Sequence, residues 1–166
     1  MRLALLGGTG KLATSFTQQV LQHGYNVASL IPHGTAPHMV HDQLVTTHGS
    51  WQDESDVRTI INGCHAVICM PDVQHDAAAM AAIVAEAYRA GVRRLIVVTD
   101  VLQHIADHAH IPVAAMLQKT DLDWTIVHAG EVWQEELVTP IHDVAGFVVR
   151  QISDMTHLSK TVLVRP

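Results

Sequence analysis

Basic residues are scarce in this chain: Lys and Arg together number 10 against 16 Asp and Glu, for a formal net charge of -6 and a sequence pI near 6.1. So acidic a chain lacks the cationic footprint that holds phosphate backbones, and nucleic acid is excluded as the expected partner. Cysteine is nearly absent too. Cys64 and Cys69 bracket a run that reads as a buried strand, and neither they nor His65 stand at a zinc-ligand spacing. Long apolar runs are also missing. The longest such stretch, Ala77 to Ala87, is dominated by alanine, contains Glu86 and is too short for a bilayer, so no membrane span is expected. Met1 to Leu6 is too short for a secretory h-region, which makes a reducing cytoplasm with free thiols the expected setting.

Histidine, by contrast, is abundant at 13 residues. His104 and His108 stand one helical turn apart with His110 nearby, a spacing that suits two metal ligands. The Glu of H-E-x-x-H is missing, so these read as surface polar residues and no metal is expected. His33, His38, His41 and His48 fall in a loop-like stretch where solvated imidazoles need no special role. At 166 residues and 48% hydrophobic, the chain can bury one proper core, and a single domain over 1–166 is expected. Monomer and homo-oligomer are both compatible with this composition.

The most informative segment is the first. Leu3-Ala4-Leu5-Leu6 reads as a strand and runs directly into Gly7-Gly8-Thr9-Gly10-Lys11-Leu12-Ala13. A strand that breaks into a glycine turn and then a helix presents backbone N–H groups to a dinucleotide pyrophosphate. In a G-x-x-G-x-x-G/A spacing, Gly7 permits the tight turn, Gly10 lets phosphate approach and Ala13 keeps the helix near the strand.

Strand and helix signals then alternate to the end of the chain, the pattern of a parallel sheet covered on both faces. Helices are expected over Lys11–His23, Glu54–Ile61, Asp72–Ala90 and His142–Ser153, with a further helical region over Leu102–Lys119 interrupted near Pro112. Asp53 or Ser55 is placed to cap the second of these. The alanines of Asp72–Ala90 would let that helix lie close to the sheet or to another subunit. After the first strand, strands are expected over Tyr25–Ile31, Gln43–Thr47, His65–Met70, Leu95–Thr99, Trp124–Val127 and Thr161–Val164. In such a fold the functional polar groups gather at the carboxyl ends of the strands. The candidates are therefore Gly7, Gly8, Thr9, Gly10, Lys11, Leu12, Pro32, His33, Ser50, Trp51, Met70 and Pro71 for cofactor, and Thr99, Asp100 and His128 for chemistry.

Three stretches resemble the atypical short-chain dehydrogenase/reductase superfamily, in its NAD(P)H-binding, NmrA-like and flavin-reductase-like branch. They are Leu5 to Leu12, Ala90 to Thr99, and Leu122-Asp123-Trp124-Thr125-Ile126-Val127; Ile141 to Phe147 followed by Thr161 to Val164 looks like that branch's closing helix and strand. The resemblance implies a doubly wound Rossmann sheet in the order 3-2-1-4-5-6-7, an NAD(P)(H) site, and hydride transfer to a flavin or a small carbonyl-like acceptor.

The departures from the family pattern are equally informative. Ile31-Pro32-His33 stands where many members place an Arg for the 2′-phosphate of NADP, and no Asp or Glu is there for a ribose hydroxyl. The family's Gly-Asp after the third strand looks like Gly49-Ser50, with Trp51 as apolar cover. The Tyr-x-x-x-Lys pair of many dehydrogenases is absent, because Tyr25 and Tyr88 are followed four residues later by Ser29 and Val92. His110 falls where the branch commonly has a Lys, and His128-Ala129-Gly130 where it has Arg-Pro-Gly. The resemblance thus implies a reductase of flavin-reductase-like type working without a Tyr/Lys pair, with His128 to orient an acceptor or donate a proton. A dinucleotide-binding sensor or interaction module without turnover is the alternative.

Overall fold

The computed structural model describes residues 1–70, 76–100, 113–129 and 141–164, with the backbone alone at Asp100. Among the described residues seven strands are present: β1 (Arg2–Leu6), β2 (Asn26–Ile31), β3 (Leu44–His48), β4 (Ala66–Cys69), β5 (Arg94–Asp100), β6 (Asp123–Ala129) and β7 (Lys160–Val164). Between and beside them lie α1 (Lys11–Gln22), α2 (Glu54–Ile61), α3 (Ala77–Arg89), α4 (Val113–Leu117) and α5 (Ile141–Gln151). All strands pair in parallel, in the order β3-β2-β1-β4-β5-β6-β7 expected from the resemblance.

Side-chain alternation divides the interior into two cores. Leu3, Leu5, Ile68, Ile96 and Val98 face α1 and α5, where Phe16, Val20, Val144 and Val148 meet them. Ala4, Leu6, Val67, Leu95 and Val97 face the other way, onto Val57 and Ile61 of α2, Met80 and Ile83 of α3 and Leu117 of α4. Because β1 and β4 are buried on both faces, they read as unbroken apolar runs. Boundaries differ from the sequence expectations by a residue or two, and β5 and β6 run further: β6 gains Asp123, His128 and Ala129 because they pair with Arg94, Thr99 and Asp100. The helix expected from Asp72 starts at Ala77, because Asp76 is its extended cap; residues 71–75, and residues 101–112 of the helical region expected before Val113, lie outside the described residues.

Helix starts are treated differently from one another. Asp53 caps α2 by accepting from the N–H groups of Ser55 and Asp56, and Asp76 caps α3 by accepting from Ala79 N–H. The start of α1 at Gly10 has no side-chain cap and no acidic residue in its first turn. That difference leaves the positive end of one helix to another partner.

A buried cation fastens the far edge of the sheet. Arg94 is only 5% exposed, and it donates to the Gln151 carbonyl at 2.9 and 2.5 Å, to the Asp123 carbonyl at 2.7 Å and to Thr125 Oγ1 at 2.9 Å. It thereby ties β5 and β6 to the last turn of α5, where the carbonyl ends of the helix favour a positive charge. Arg94→Met should lower stability to urea by about 3 kcal/mol, the scale of lost hydrogen bonds to a charged group. Cofactor affinity should be unchanged, since Arg94 starts β5 and lies at the edge away from the glycine turn.

Candidate functional site

With every strand parallel, residues 7, 32, 49, 70, 99 and 128 follow or close their strands on one edge. Strand order reverses on either side of β1, which pairs with β2 on one side and β4 on the other. Such a switch point opens a crevice between neighbouring strand-to-helix connections.

The glycine turn occupies this point, and each glycine has a separate reason to be there. Gly7 adopts φ 81°, a conformation that side-chain-bearing residues rarely hold, and its carbonyl accepts from Thr9 N–H at 3.0 Å. Gly8 is required by packing: a Cβ there would stand 2.8 Å from Ser29 Oγ and 3.2 Å from Leu5 Cδ2. Gly10 is extended, with φ -95°, and a Cβ added to it would meet nothing within 4 Å. Open space at Gly10 and the uncapped start of α1 together fit an anionic diphosphate. Lys11 is exposed beside them, whereas Leu12 is 2% exposed and packs into the α1 core, so it offers backbone only.

The next strand ends fill in the neighbouring edge. His33 is exposed and Pro32 half-buried after β2. Beyond β3, Gly49 N–H donates to the Ile31 carbonyl at 2.9 Å, and Ser50 N–H donates to Asp56 Oδ2 at 2.9 Å. Ser50 Oγ accepts from Gln52 N–H at 3.1 Å, and half-buried Trp51 packs on the α2 and α3 core. Asp56 is not among the residues that the sequence singles out; its Oδ2 would lie 2.4 Å from any Cβ at Gly49, so the carboxylate fits only against glycine. After β4, Met70 is 1% exposed and its side chain belongs to the core. Its N–H donates to the Leu6 carbonyl at 2.9 Å, so it can border the crevice only through backbone. Pro71 and the Asp100 side chain lie outside the described residues.

On the other side of β4, the register of β5 and β6 sets Thr99 opposite His128. Thr99 Oγ1 is hydrogen-bonded to His128 Nδ1. Both follow the alternation of Leu95, Val97, Trp124 and Ile126, which places them on the face opposite α1. Three strand spacings, about 14 Å in all, separate β1 from β6. An extended ligand seated on the turn can therefore cross the edge to the pair.

The thiols are poorly suited to chemistry. Burial pushes Cys69 up to about 12 and also raises Cys64, with Arg2 opposing the effect at Cys64. Among the described residues no group of three or more His, Cys, Asp or Glu could hold a metal; His104, His108 and His110 lie outside them. No helix among the described residues is long and apolar enough to cross a membrane.

The model of a family described as NAD(P)H-binding matches residues 7–153. No curated protein matches the chain in sequence. Among solved structures, it is similar to ChuY, an anaerobillin reductase from Escherichia coli, with TM-score 0.79 and 17% identity over 99% of this chain and 97% of that one. A short-chain dehydrogenase/reductase from Veillonella parvula in complex with NADP has TM-score 0.78 and 17% identity, covering 99% and 94% of the two chains. A nucleoside-diphosphate-sugar epimerase from Staphylococcus aureus gives TM-score 0.76 and 16% identity over 99% of this chain and 71% of that one.

Two glycine variants should separate packing from binding. Gly8→Ala should destabilise the fold by about 1–3 kcal/mol, measured by thermal unfolding, because its methyl group meets Ser29. Adding Ser29→Ala should recover much of that loss, since Ser29 Oγ is buried without a hydrogen-bond partner. Gly10→Asp should fold normally and lose at least about tenfold in NAD(P)H affinity by calorimetry, the scale of one repulsive charge placed at the anion seat.

Proposed function

Because the chain belongs to the NAD(P)H-binding family, we propose that it is an NAD(P)H-dependent reductase that delivers reducing equivalents to a flavin or a small carbonyl-like acceptor. The hydrogen-bonded Thr99–His128 pair, on the same sheet edge as the glycine turn, carries this reading. In the proposed site Gly7 to Leu12 hold the diphosphate through backbone N–H groups, with Lys11 adding charge. Pro32, His33, Ser50 and Trp51 border the adenosine end, and the Met70 backbone borders the centre.

When bound, the reduced nicotinamide supplies hydride. The protein's share of the reaction is orientation and a proton. Thr99 and His128 share a proton between Oγ1 and Nδ1, and a hydroxyl or imidazole at that point can donate to the oxygen of a carbonyl acceptor as negative charge develops there. Asp100 follows Thr99 directly and is assigned to the same acceptor end. This arrangement offers an acid without the phenol and ammonium of a Tyr-x-x-x-Lys pair. A flavin has less need of it, because solvent can supply the second proton.

The test combines the protein with NADH or NADPH and with FMN, FAD or a small carbonyl compound, following loss of nicotinamide absorbance. With a carbonyl acceptor, His128→Gln and Thr99→Val should each lower turnover about a hundredfold while leaving cofactor affinity within about twofold. Flavin reduction should fall much less. Tight cofactor binding with no oxidation above the protein-free rate, whatever the acceptor, would replace the reductase with a dinucleotide-binding sensor.

A further inference from the structure

The segment between β2 and β3 contains a histidine whose surroundings differ from those of a solvated loop side chain. His38 lies half-buried against α1, with Nε2 at 3.2 Å from Thr17 Oγ1. Thr17 is fully buried and donates its single hydroxyl proton to the Ala13 carbonyl at 2.7 Å. Its oxygen can therefore only accept from His38, which fixes the neutral ring as the Nε2–H tautomer. Nδ1 is then a bare acceptor, and it is buried with no hydrogen-bond partner.

The Gly8 backbone of the nucleotide turn also acts on the ring. Burial holds His38 below the usual histidine range, and the Gly8 backbone, itself part of the turn, acts in the opposite sense by favouring the charged form. Among the described residues the groups acting on the ring are thus Thr17 of α1 and Gly8 of the turn, with no contribution from a charged side chain. Lys11 on α1 and His33 and His41 on its own segment are exposed. In the free protein the Gly8 backbone is, among the described residues, the group that offsets the cost of placing a proton on the buried ring.

We propose that His38 is a positioning residue for the dinucleotide, and that seating an anionic diphosphate on the Gly7–Gly10 turn drives uptake of a proton at His38 Nδ1. This inference rests on the reading of the turn as the NAD(P)H seat. A negative charge arriving beside Gly8 favours the imidazolium, whose second N–H converts a buried, unpartnered acceptor into a donor on the turn. The ring then supplies positive charge in a chain whose second strand ends in Ile31-Pro32-His33 with no arginine. The linkage has a definite sign. Because the bound form holds the proton more tightly, affinity rises as pH falls through the bound-state midpoint and levels off below the free-state midpoint.

Calorimetric titration with NADPH and with NADH, across mildly acidic to mildly alkaline pH and in two buffers of different ionisation enthalpy, reads both affinity and proton uptake. The wild-type protein should take up a fraction of a proton, with affinity rising about tenfold for each pH unit by which binding moves the His38 midpoint. His38→Gln keeps an N–H for Thr17 but has no titrating group. It should bind with little proton uptake and a flattened pH profile, whereas a merely structural role would weaken binding equally at every pH. Binding by the wild type without proton uptake, or the same pH profile in His38→Gln, overturns the coupling and leaves the nucleotide seat standing. Failure of the folded wild type to bind either cofactor at any pH overturns the seat and the coupling together.

Discussion

A parallel sheet with both faces covered admits polar side chains inside its strands only where each finds a role in packing or hydrogen bonding, and that constraint governs the rest of this protein. The two cores take up nearly every side chain of β1, β4 and the middle of β5, so function is confined to the edge where the strands stop. Strand order then decides what meets at that edge. Placing β1 beside β4 puts the glycine turn next to a gap between connections, and placing β6 beside β5 puts His128 against Thr99.

Exceptions to the apolar rule mark how the edge is built. Ser29 is a buried hydroxyl within β2, and it lies under Gly8, so the turn comes down on β2 with room for a hydrogen atom and nothing larger. Asp56 plays a related part at the end of β3, where its carboxylate accepts from Ser50 and presses against Gly49. Glu86 is buried on the outer side of the second core and is held below the usual carboxylate range chiefly by Arg58, with Arg89 adding to the effect against the cost of burial. These contacts fasten connections and helices while the start of α1 is left without a side-chain cap.

Local patterns make the sheet and the turn legible in the amino-acid sequence, and the family resemblance adds the strand order. Leu3 to Leu6 followed by Gly7 specifies strand and turn by sequence neighbours alone, and the apolar, β-branched run from Leu95 to Val98 reads as a central strand. Asp53 is legible as one of two possible caps because capping depends on the next few residues. His38 is not legible, since its meaning comes from contact with Thr17, 21 residues earlier in the chain. Arg94 is similarly hidden: next to Arg93 it reads as a polar flank, and only the packing of α5 shows that one of the two is buried. Leu12 and Met70 sit at the carboxyl edge, but the inward face of α1 and the alternation of β4 turn their side chains into the core.

The claim on which all else rests is that the carboxyl edge around the glycine turn seats the dinucleotide. Backbone amide NMR spectra, recorded as NADPH or NADH is added, test it at each residue. The largest shifts should fall on Gly7 to Leu12, with further changes at Thr99 and Ala129 and little at Arg94, on the opposite edge. Saturable binding that leaves Gly7 to Leu12 unmoved would contradict the account.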